Sequence, residues 1–113
     1  MEARNEVTLV GRLARDPVPV ELPSGDTLTS FTLVVDRGPS RRPAPEGRRL
    51  PTVDSLECVA WSTATQRAAQ TWAPGDVVEV QGALRRRFWR AGAAAASLYE
   101  VEVAKAKRVG RAA

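Results

Sequence analysis

Arginines and aromatic rings lie side by side between residues 84 and 90, where the sequence reads LRRRFWR. In an extended strand, Arg85, Arg87 and Trp89 share one face, and Phe88 lies on the other face between arginines. A single nucleic-acid strand offers a phosphate charge at every step and the flat face of every base, so a binder that ignores base sequence needs cations and rings together. The segment therefore indicates contact with a single strand. The competing interpretation is a solvated hairpin whose two rings close the core.

The other two tryptophans and the single cysteine lie in different settings. Trp61 follows an apolar strand pattern, and both core packing and base stacking stay open for it. Trp72 ends an alanine-rich, helix-like segment, which favours a place in the core. Cys58 lies in an apolar strand pattern, as expected of a small core residue rather than a reactive thiol.

Positive charge is concentrated in two segments of a chain whose formal net charge is +4. Residues 37–49 and 85–113 carry an excess of bases, while the rest of the chain carries an excess of acids. Such clustering is typical of proteins that bind a polyanion. Arg12, at the end of the first strand, is a further candidate cation that is not specific alone. The arginines of the first segment either close over a bound strand or form a solvated loop; they are Arg37, Arg41, Arg42, Arg48 and Arg49.

The residues that most catalytic chemistry needs are missing. The sequence has no histidine and one cysteine, which argues against a transition-metal site and against Ser-His or Cys-His catalysis. One cysteine also excludes an intramolecular disulfide. The carboxylates Asp54, Glu57, Asp76 and Glu79 are scattered in strand alternation, with no phosphate-binding loop beside them. We therefore expect a non-enzymatic protein without a cofactor.

No apolar run is long enough to cross a bilayer, and the start of the chain lacks the apolar core of a signal peptide. The length of 113 residues fits one domain, over residues 1–113. The expected location is therefore the cytoplasm, in association with the nucleoid if the polyanion is DNA.

Strand-like alternation recurs along the chain and is interrupted by one helix-like segment. Five main strands are expected at residues 6–13, 27–36, 53–61, 76–87 and 98–103. Prolines limit residues 18–22 to a short edge strand. A helix is expected at residues 63–72, with Ser62 or Thr63 as its cap and a stop at Pro74-Gly75. Three strands, one short helix and two strands is the order of an all-β, five-stranded OB-fold barrel with the helix between strands 3 and 4.

Glycines and loops set the expected shape of this barrel. Gly11 and Gly82 interrupt two strands, which indicates bulges or sharp bends where a small barrel must close. Residues 37–52 hold four prolines and five arginines without periodicity and are expected to form a long basic loop. Residues 90–97 are expected to form a loop of small residues, and residues 104–113 a basic end.

The sequence resembles the bacterial single-stranded DNA-binding protein family over residues 5–108. The resemblance begins with NEVTLVGRL, followed shortly by DP, and continues with FTLVV at 31–35 and CVAW at 58–61. It ends with GDVVEVQGALR at 75–85 and with Trp89 just beyond. The first and last of these motifs together are fairly specific for the family, whereas either motif alone is only moderately specific.

The resemblance implies an OB fold that binds single-stranded DNA of any sequence in replication, recombination and repair. It also implies assembly into a homotetramer, with a dimer as the alternative. Trp61 and Trp89 match two positions at which family members stack bases on rings. Arginines near these rings are then expected to contact phosphates.

The chain departs from the family pattern in three places. The ring usually found after the second strand falls near residues 37–39 here, and the one at the start of the third strand falls near Ser55. With two rings missing, we expect affinity or binding mode to differ unless extra arginines compensate. Family members also usually carry a disordered tail with an acidic tip that recruits other enzymes. The ending GRAA fits either a tailless paralogue, as in a high-GC bacterium such as an actinobacterium, or a truncated form.

Two other OB-fold functions compete with this interpretation. Primosomal replication protein N is a small, tailless relative that bridges replication proteins and binds DNA through basic loops as a dimer. The missing rings and tail both fit it, but the intact group of Arg85, Arg87 and Trp89 argues against it. An RNA-binding domain of the cold-shock type needs clustered rings on adjacent strands, which this sequence lacks.

Overall fold

The computed structural model describes residues 1–39 and 42–113, and this part of the chain forms six strands and one helix. The strands are β1 (Val7–Leu13), β2 (Val18–Glu21), β3 (Thr27–Asp36), β4 (Val53–Ala60), β5 (Val77–Ala91) and β6 (Ala94–Gly110). The helix, α1 (Thr63–Ala69), lies between β4 and β5.

Five of the strands close into a barrel. They are hydrogen-bonded in the order β1-β5-β6-β4-β3, and a short antiparallel pairing of β1 with β3, which joins Arg12 to Val34 and Leu13 to Leu33, closes the cylinder. β2 adds to the outer edge of β3, where Pro19 is tolerated because an edge strand does not need every backbone donor. The all-β, five-stranded OB fold with one helix between its third and fourth barrel strands is therefore confirmed.

Two glycines permit the close backbone approaches that barrel closure requires. A Cβ atom on Gly82 would overlap the carbonyl oxygen of Glu102, and one on Gly11 would lie 2.6 Å from the carbonyl oxygen of Val34. The pairing of β5 with β6 shifts register between Gln81 and Gly82, which confirms the bulge predicted there. Neither position accepts a side chain unless the backbone moves.

The barrel interior is filled by alternate residues of its strands, together with residues from α1 and the turn after it. Trp72 is 5% exposed and packs edge-on against Phe31, with ring centroids 5.2 Å apart. Cys58 is fully buried; burial raises the pKa of its thiol to about 12, with the negative charge of Glu57 as the smaller cause. Trp72 and Cys58 are thus core residues, as predicted.

The helix begins where it is predicted but ends earlier. Ser62 is its N-cap, and the side-chain oxygen accepts a hydrogen bond of 3.1 Å from the Thr65 N–H. The helix ends at Ala69 rather than Trp72, because the N–H groups of Thr71 and Trp72 bond to carbonyls three residues back and tighten the chain into a turn. This turn brings the Trp72 ring to the core.

The last two strands are longer than the sequence pattern predicts. β5 continues to Ala91 and β6 begins at Ala94, with a tight turn at Gly92, so the loop predicted at residues 90–97 is wrong. Most of the predicted basic end, residues 104–113, also belongs to β6. Alanine has little strand propensity, so cross-strand pairing decides the structure here, and a single sequence does not display that pairing.

Residues 37–52 contain no helix or strand in the part that the structure describes, in agreement with the sequence prediction. A hydrogen bond of 2.9 Å from the Arg37 N–H to the Thr52 carbonyl closes the base of this segment, which we call the basic loop. Because β4 runs parallel to β6, the basic loop and the turn between β5 and β6 lie at the same end of the barrel.

Candidate nucleic-acid interface

Beyond Leu84, β5 and β6 leave the barrel as a two-stranded ribbon. The side-chain amide of Asn5 bonds both backbone groups of Leu84, donating to the carbonyl at 2.7 Å and accepting from the N–H at 2.9 Å. These bonds end the association of β5 with β1, and the pairing of β6 with β4 begins only at Val101. Residues 85–91 and 94–100, which we call the arm, therefore pair mainly with each other.

One side of the arm, the front face, carries Arg85, Arg87 and Trp89, as strand alternation predicts. The guanidinium carbon of Arg87 lies 5.9 Å from the centre of the Trp89 ring, and 44% of Trp89 is exposed. Arg85 is held by Glu102, with its Nε 3.3 Å from a carboxylate oxygen. The front face thus offers an exposed ring beside one guanidinium, while a second guanidinium already has a carboxylate partner.

The opposite side of the arm, the reverse face, carries Arg86, Phe88 and Tyr99. The guanidinium carbon of Arg86 lies 4.6 Å from the centre of the Phe88 ring and 5.4 Å from that of Tyr99, within the range of cation–π attraction. The two rings are 64% and 59% exposed. The structure therefore separates Phe88 from Trp89, and the competing interpretation, in which these rings close the core, is wrong.

Trp61 follows the last residue of β4 and is also 44% exposed. It lies two residues beyond Val59, whose cross-strand neighbour is Glu102 on the front side of the sheet. Alternation therefore puts Trp61 on the same side of the molecule as the front face. By register, eight residues of β6 separate the levels of Trp61 and Trp89, which corresponds to about 26 Å along the strands.

Two further candidate arginines are engaged by carboxylates. Arg12 Nη1 lies 3.5 Å from an Asp36 oxygen, and both side chains are exposed. Arg37 donates from Nε and Nη2 to one Asp54 oxygen, at 3.1 and 2.8 Å. This hydrogen bonding and the negative charge of Asp54 raise the pKa of Arg37. A phosphate must replace these carboxylates, so neither arginine offers its full charge to a ligand.

The basic loop carries the remaining candidate cations. Arg42, Arg48 and Arg49 are exposed, whereas Arg41 lies outside the described residues. A pocket of about 310 Å³ lies in this loop and is lined by Arg37, Gly38, Pro39, Arg42, Leu50 and Pro51. It combines guanidiniums with apolar walls at the end of the barrel from which the arm projects.

Comparison with known proteins bears on this geometry. The model of the single-strand binding protein family matches residues 4–109, nearly the whole chain. The chain belongs to this family.

Similar single-strand binding proteins come from several bacteria. The single-stranded DNA-binding protein of Thermotoga maritima is 36% identical over 85 residues, which make up 75% of this chain and 58% of that protein. Single-stranded DNA-binding protein A of Bacillus subtilis is 34% identical over 83 residues, or 74% of this chain and 45% of that protein. The chain thus spans about half the length of the curated relatives it matches.

The fold has a counterpart among solved structures. A structure described as a Plasmodium falciparum SSB complex with ssDNA matches with a TM-score of 0.73, over 95% of this chain and 94% of that chain. Sequence identity is 20%, so this likeness concerns the fold. It agrees with the OB barrel that the strand pairing defines.

The two positions at which the resemblance to the family implies rings hold other residues here. Ser55 lies in β4 on the same side as Val59 and Trp61, and it is exposed. Residues 37–39 lie in the basic loop, where Arg37 is bonded to a carboxylate. Neither residues 37–39 nor Ser55 supplies the ring that the family resemblance implies at these two places.

Arg86 and Tyr99 were missed as candidates by reasoning from the sequence. They become neighbours only because Arg86 lies opposite Tyr99 in the register of β5 and β6. The pairing could have been found by treating residues 85–91 and 94–100 as the two strands of one hairpin, but a loop was expected at residues 90–97.

Within residues 1–39 and 42–113, no group of three His, Cys, Asp or Glu side chains is placed to hold a metal ion. No helix in the same residues has the length and hydropathy needed to span a membrane. The chemistry that the interface offers is base stacking on rings and attraction between guanidiniums and phosphates.

Proposed function

We propose that the chain is a non-enzymatic protein that binds single-stranded DNA regardless of base sequence. The observation that carries this proposal is the exposed Trp89 ring beside the Arg87 guanidinium, on the side of the sheet that also carries Trp61. Any base stacks on a ring and any phosphate pairs with a guanidinium, so such a site does not depend on sequence.

Stacking is expected to be the larger contribution to affinity at this site. Each stacked base contributes about 1–3 kcal/mol, whereas an arginine that exchanges a carboxylate for a phosphate gains much less. Arg12, Arg37 and Arg85 are each paired with a carboxylate that a phosphate would have to replace. No carboxylate in the described chain lies within ion-pair distance of Arg87, so Arg87 supplies the main phosphate contact of the front face.

The proposed path of the strand runs from the arm across the sheet to Trp61. The rings of Trp89 and Trp61 are about 26 Å apart along the strands. The stretch of DNA that contacts both rings therefore contains several phosphates. The exposed arginines Arg42, Arg48 and Arg49 belong to the basic loop, at the end of the barrel from which the arm projects. OB folds bind oligonucleotides across this sheet face and its neighbouring loops.

The proposed biological role is protection of exposed single strands during DNA replication, recombination and repair, in the cytoplasm and in association with the nucleoid. Membership of the single-strand binding protein family supports this role. The names of the Thermotoga maritima and Bacillus subtilis relatives support single-stranded DNA as the ligand.

We also propose that the chain assembles into a homotetramer, with a dimer as the alternative. Family membership supports assembly, as does an open edge, because residues 7–11 of β1 pair with β5 on one side only in the described chain. Val10 on this strand is 50% exposed. Sedimentation equilibrium is expected to give the mass of four or two chains, and a single-chain mass at all concentrations would contradict assembly.

Tryptophan fluorescence tests DNA binding directly. Titration with oligo-dT is expected to quench emission, because bases stack on Trp61 and Trp89 while the buried Trp72 gives a constant background. Trp61→Phe and Trp89→Phe each remove part of the quenching and keep a ring for stacking. A duplex of equal length is expected to quench little, since its bases are already stacked.

A salt series completes the test. Affinity for oligo-dT is expected to fall with salt, with a log-log slope of about −0.7 per phosphate contacted. Arg87→Ala is expected to lower the magnitude of this slope by about 0.7, while Arg67→Ala, on α1, serves as a control of equal charge. Weak binding without quenching would overturn the proposal and favour an interaction module of the primosomal replication protein N type.

A further inference from the structure

The reverse face of the arm holds a guanidinium in a fixed position. The guanidinium carbon of Arg86 lies over the rings of Phe88 and Tyr99, 4.6 and 5.4 Å from their centres, and Nη2 donates to the Ser97 hydroxyl at 3.3 Å. Across the described residues, no carboxylate comes within ion-pair distance of Arg86. Three contacts thus orient a guanidinium that keeps its charge and most of its N–H donors.

The two faces of the arm differ in charge. Strand alternation gives the front face the one acidic residue of the arm, Glu100, with Glu102 next to it at the root. The reverse face carries Arg86 and Arg90 and no acidic residue of the arm. The reverse face is therefore the more positive of the two, although both faces expose rings.

We propose that the reverse face is a second contact site for single-stranded DNA, so that one strand engages both sides of the arm. The inference rests on the proposed function of the front face and extends it. A phosphate pairs with Arg86, and neighbouring bases stack on Phe88 and Tyr99, because the guanidinium covers only one side of each ring. The arm is two strands wide, with about 5 Å between strand axes, so a DNA strand leaving Trp89 reaches the reverse face within a short length.

A polyanion fits this face better than a second copy of the chain does. Two reverse faces in contact would bring Arg86 and Arg90 of one copy against the same residues of the other, with no carboxylate of the arm between them. The occupant must supply negative charge and flat groups together. Single-stranded DNA supplies both at every nucleotide.

Photo-crosslinking with strands that contain 5-iododeoxyuridine locates the contacts. A long strand is expected to crosslink to Phe88 or Tyr99 as well as to Trp89, as read from the mass spectra of the modified peptides. A strand of about 8 nucleotides, enough for one OB-fold site, is expected to crosslink mainly to Trp61 and Trp89. Crosslinks confined to these two tryptophans at both lengths would overturn the reverse site and leave the proposed function standing.

Matched variants measure the contribution to affinity. The double variant Phe88→Ala/Tyr99→Ala is expected to weaken binding of long oligo-dT at least about fivefold and to leave the short strand unaffected. Trp89→Ala is expected to weaken both. Arg86→Ala is expected to lower the magnitude of the salt slope for the long strand by about 0.7. Circular dichroism checks that these exposed positions leave the fold unchanged.

Three results would overturn the proposal, each in a recognisable way. If the double variant binds the long strand as tightly as the wild type does, the reverse face is not a DNA site, and the proposed function is unaffected. Loss of assembly in the same variant without DNA, seen by sedimentation, would assign the face to contact between copies. Absence of any effect from Trp89→Ala would remove the contact at Trp89 from which the strand is proposed to reach the reverse face, and so this inference, whereas weak binding of oligo-dT without quenching would remove the proposed function.

Discussion

The barrel and the arm use the same residue types in opposite ways. In the barrel, Trp72 packs edge-on against Phe31 and both rings are nearly excluded from water, while Arg37 at its rim is bonded to a carboxylate. In the arm, Phe88 and Tyr99 stay mostly exposed, and their partner is a guanidinium. The place of a ring in the fold, rather than its type, therefore decides whether it is buried in the core or exposed where a ligand can reach it.

The arm needs stabilisation of its own, because a two-stranded ribbon alone is marginal in water. Cross-strand neighbours such as Arg86 and Tyr99 contribute about 0.2–1 kcal/mol per pair, and Asn5 ties the root of the arm at Leu84. The contacts that hold the ribbon also orient its cations. We therefore expect local stability and ligand binding to be linked in the arm, whereas the stability of the barrel comes from its core.

Replacement of a tryptophan by alanine in each region tests most directly whether buried and exposed rings have different roles. Trp72→Ala is expected to lower the free energy of unfolding by about 3–5 kcal/mol, because it leaves a cavity beside Phe31. Trp89→Ala is expected to lower it by less than about 1 kcal/mol, because the ring lies outside the core, is 44% exposed, and its cation–π contact with Arg87 is itself at the surface.

Urea unfolding measures these stabilities, and the anisotropy of labelled oligo-dT measures affinity. Trp89→Ala is expected to weaken binding by about 1–3 kcal/mol, while Trp72→Ala is expected to bind normally wherever it remains folded. A large loss of stability from Trp89→Ala, with unchanged affinity, would mean that the arm ring is structural and that the distinction between the two regions fails.

Barrel closure at the root of the arm gives the second prediction. Gly82→Ala is expected to lower the free energy of unfolding by about 3 kcal/mol, because the new Cβ overlaps the carbonyl oxygen of Glu102, a backbone atom that cannot move aside as the end of a flexible side chain can. Gly110→Ala is the matched control, since its Cβ would meet Val77 at an ordinary contact distance of 3.4 Å. Equal stabilities of the two variants in urea would show that the bulge tolerates a side chain.

Most of the barrel could be predicted from the sequence, because its strands carry their own signals. Alternation located the strands, proline marked β2 as an edge, and Gly82 marked the bulge. The helix cap was limited to Ser62 or Thr63 by the sequence, since a Ser or Thr before an alanine-rich run is a local signal, and the structure selects Ser62. Local chemistry is sufficient for such elements, so the pattern and the structure agree.

The arm could not be predicted in full, because its structure depends on pairing between distant residues. The alanines at 93–96 suggested a loop, but opposite strands hold them in a hairpin. The contact of Arg86 with Tyr99 and the bond of Arg85 to Glu102 follow from the same register. The sequence gives the total charge, but it does not show which arginines are paired with carboxylates.

Acid unfolding distinguishes the barrel from the arm by a different route. Asp76 is buried at the start of β5, and hydrogen bonds from the N–H groups of Ala73 and Ala112, at 2.9 and 2.8 Å, lower the pKa of its carboxyl, with Arg108 adding to the effect. The unfolded chain therefore binds this proton more readily than the folded one does. The stability that Asp76 contributes is complete above about pH 3.8 and is lost as the pH falls below that value.

Asp76→Asn is expected to lower the melting temperature at pH 7, and its difference from the wild type is expected to shrink as the pH falls through that range. Melting curves across the acid range measure this, and Asp26→Asn, in an exposed turn, serves as the control. A difference that stays constant with pH would contradict the role given to the Asp76 carboxylate. The affinity for DNA at neutral pH should not change, because Asp76 lies in the barrel rather than in the arm.

The smallest effect is expected where the two regions meet, at the bond between Arg85 and Glu102. Glu102→Gln is expected to change the free energy of unfolding by less than about 1 kcal/mol, because exposed ion pairs contribute little. It is also expected to release Arg85 for phosphate, which raises the affinity for a short oligo-dT severalfold at low salt and steepens the salt slope by up to about 0.7.

Glu21→Gln, on β2, makes the same change in net charge away from the arm and is the control for overall attraction. Equal gains in affinity from both variants would assign the effect to net charge alone. No gain from Glu102→Gln would mean that Arg85 does not contact DNA, and the front face would then consist of Arg87 and Trp89. A gain specific to Glu102→Gln means that carboxylates at the root of the arm limit its affinity, because they occupy the guanidinium that a phosphate would otherwise take.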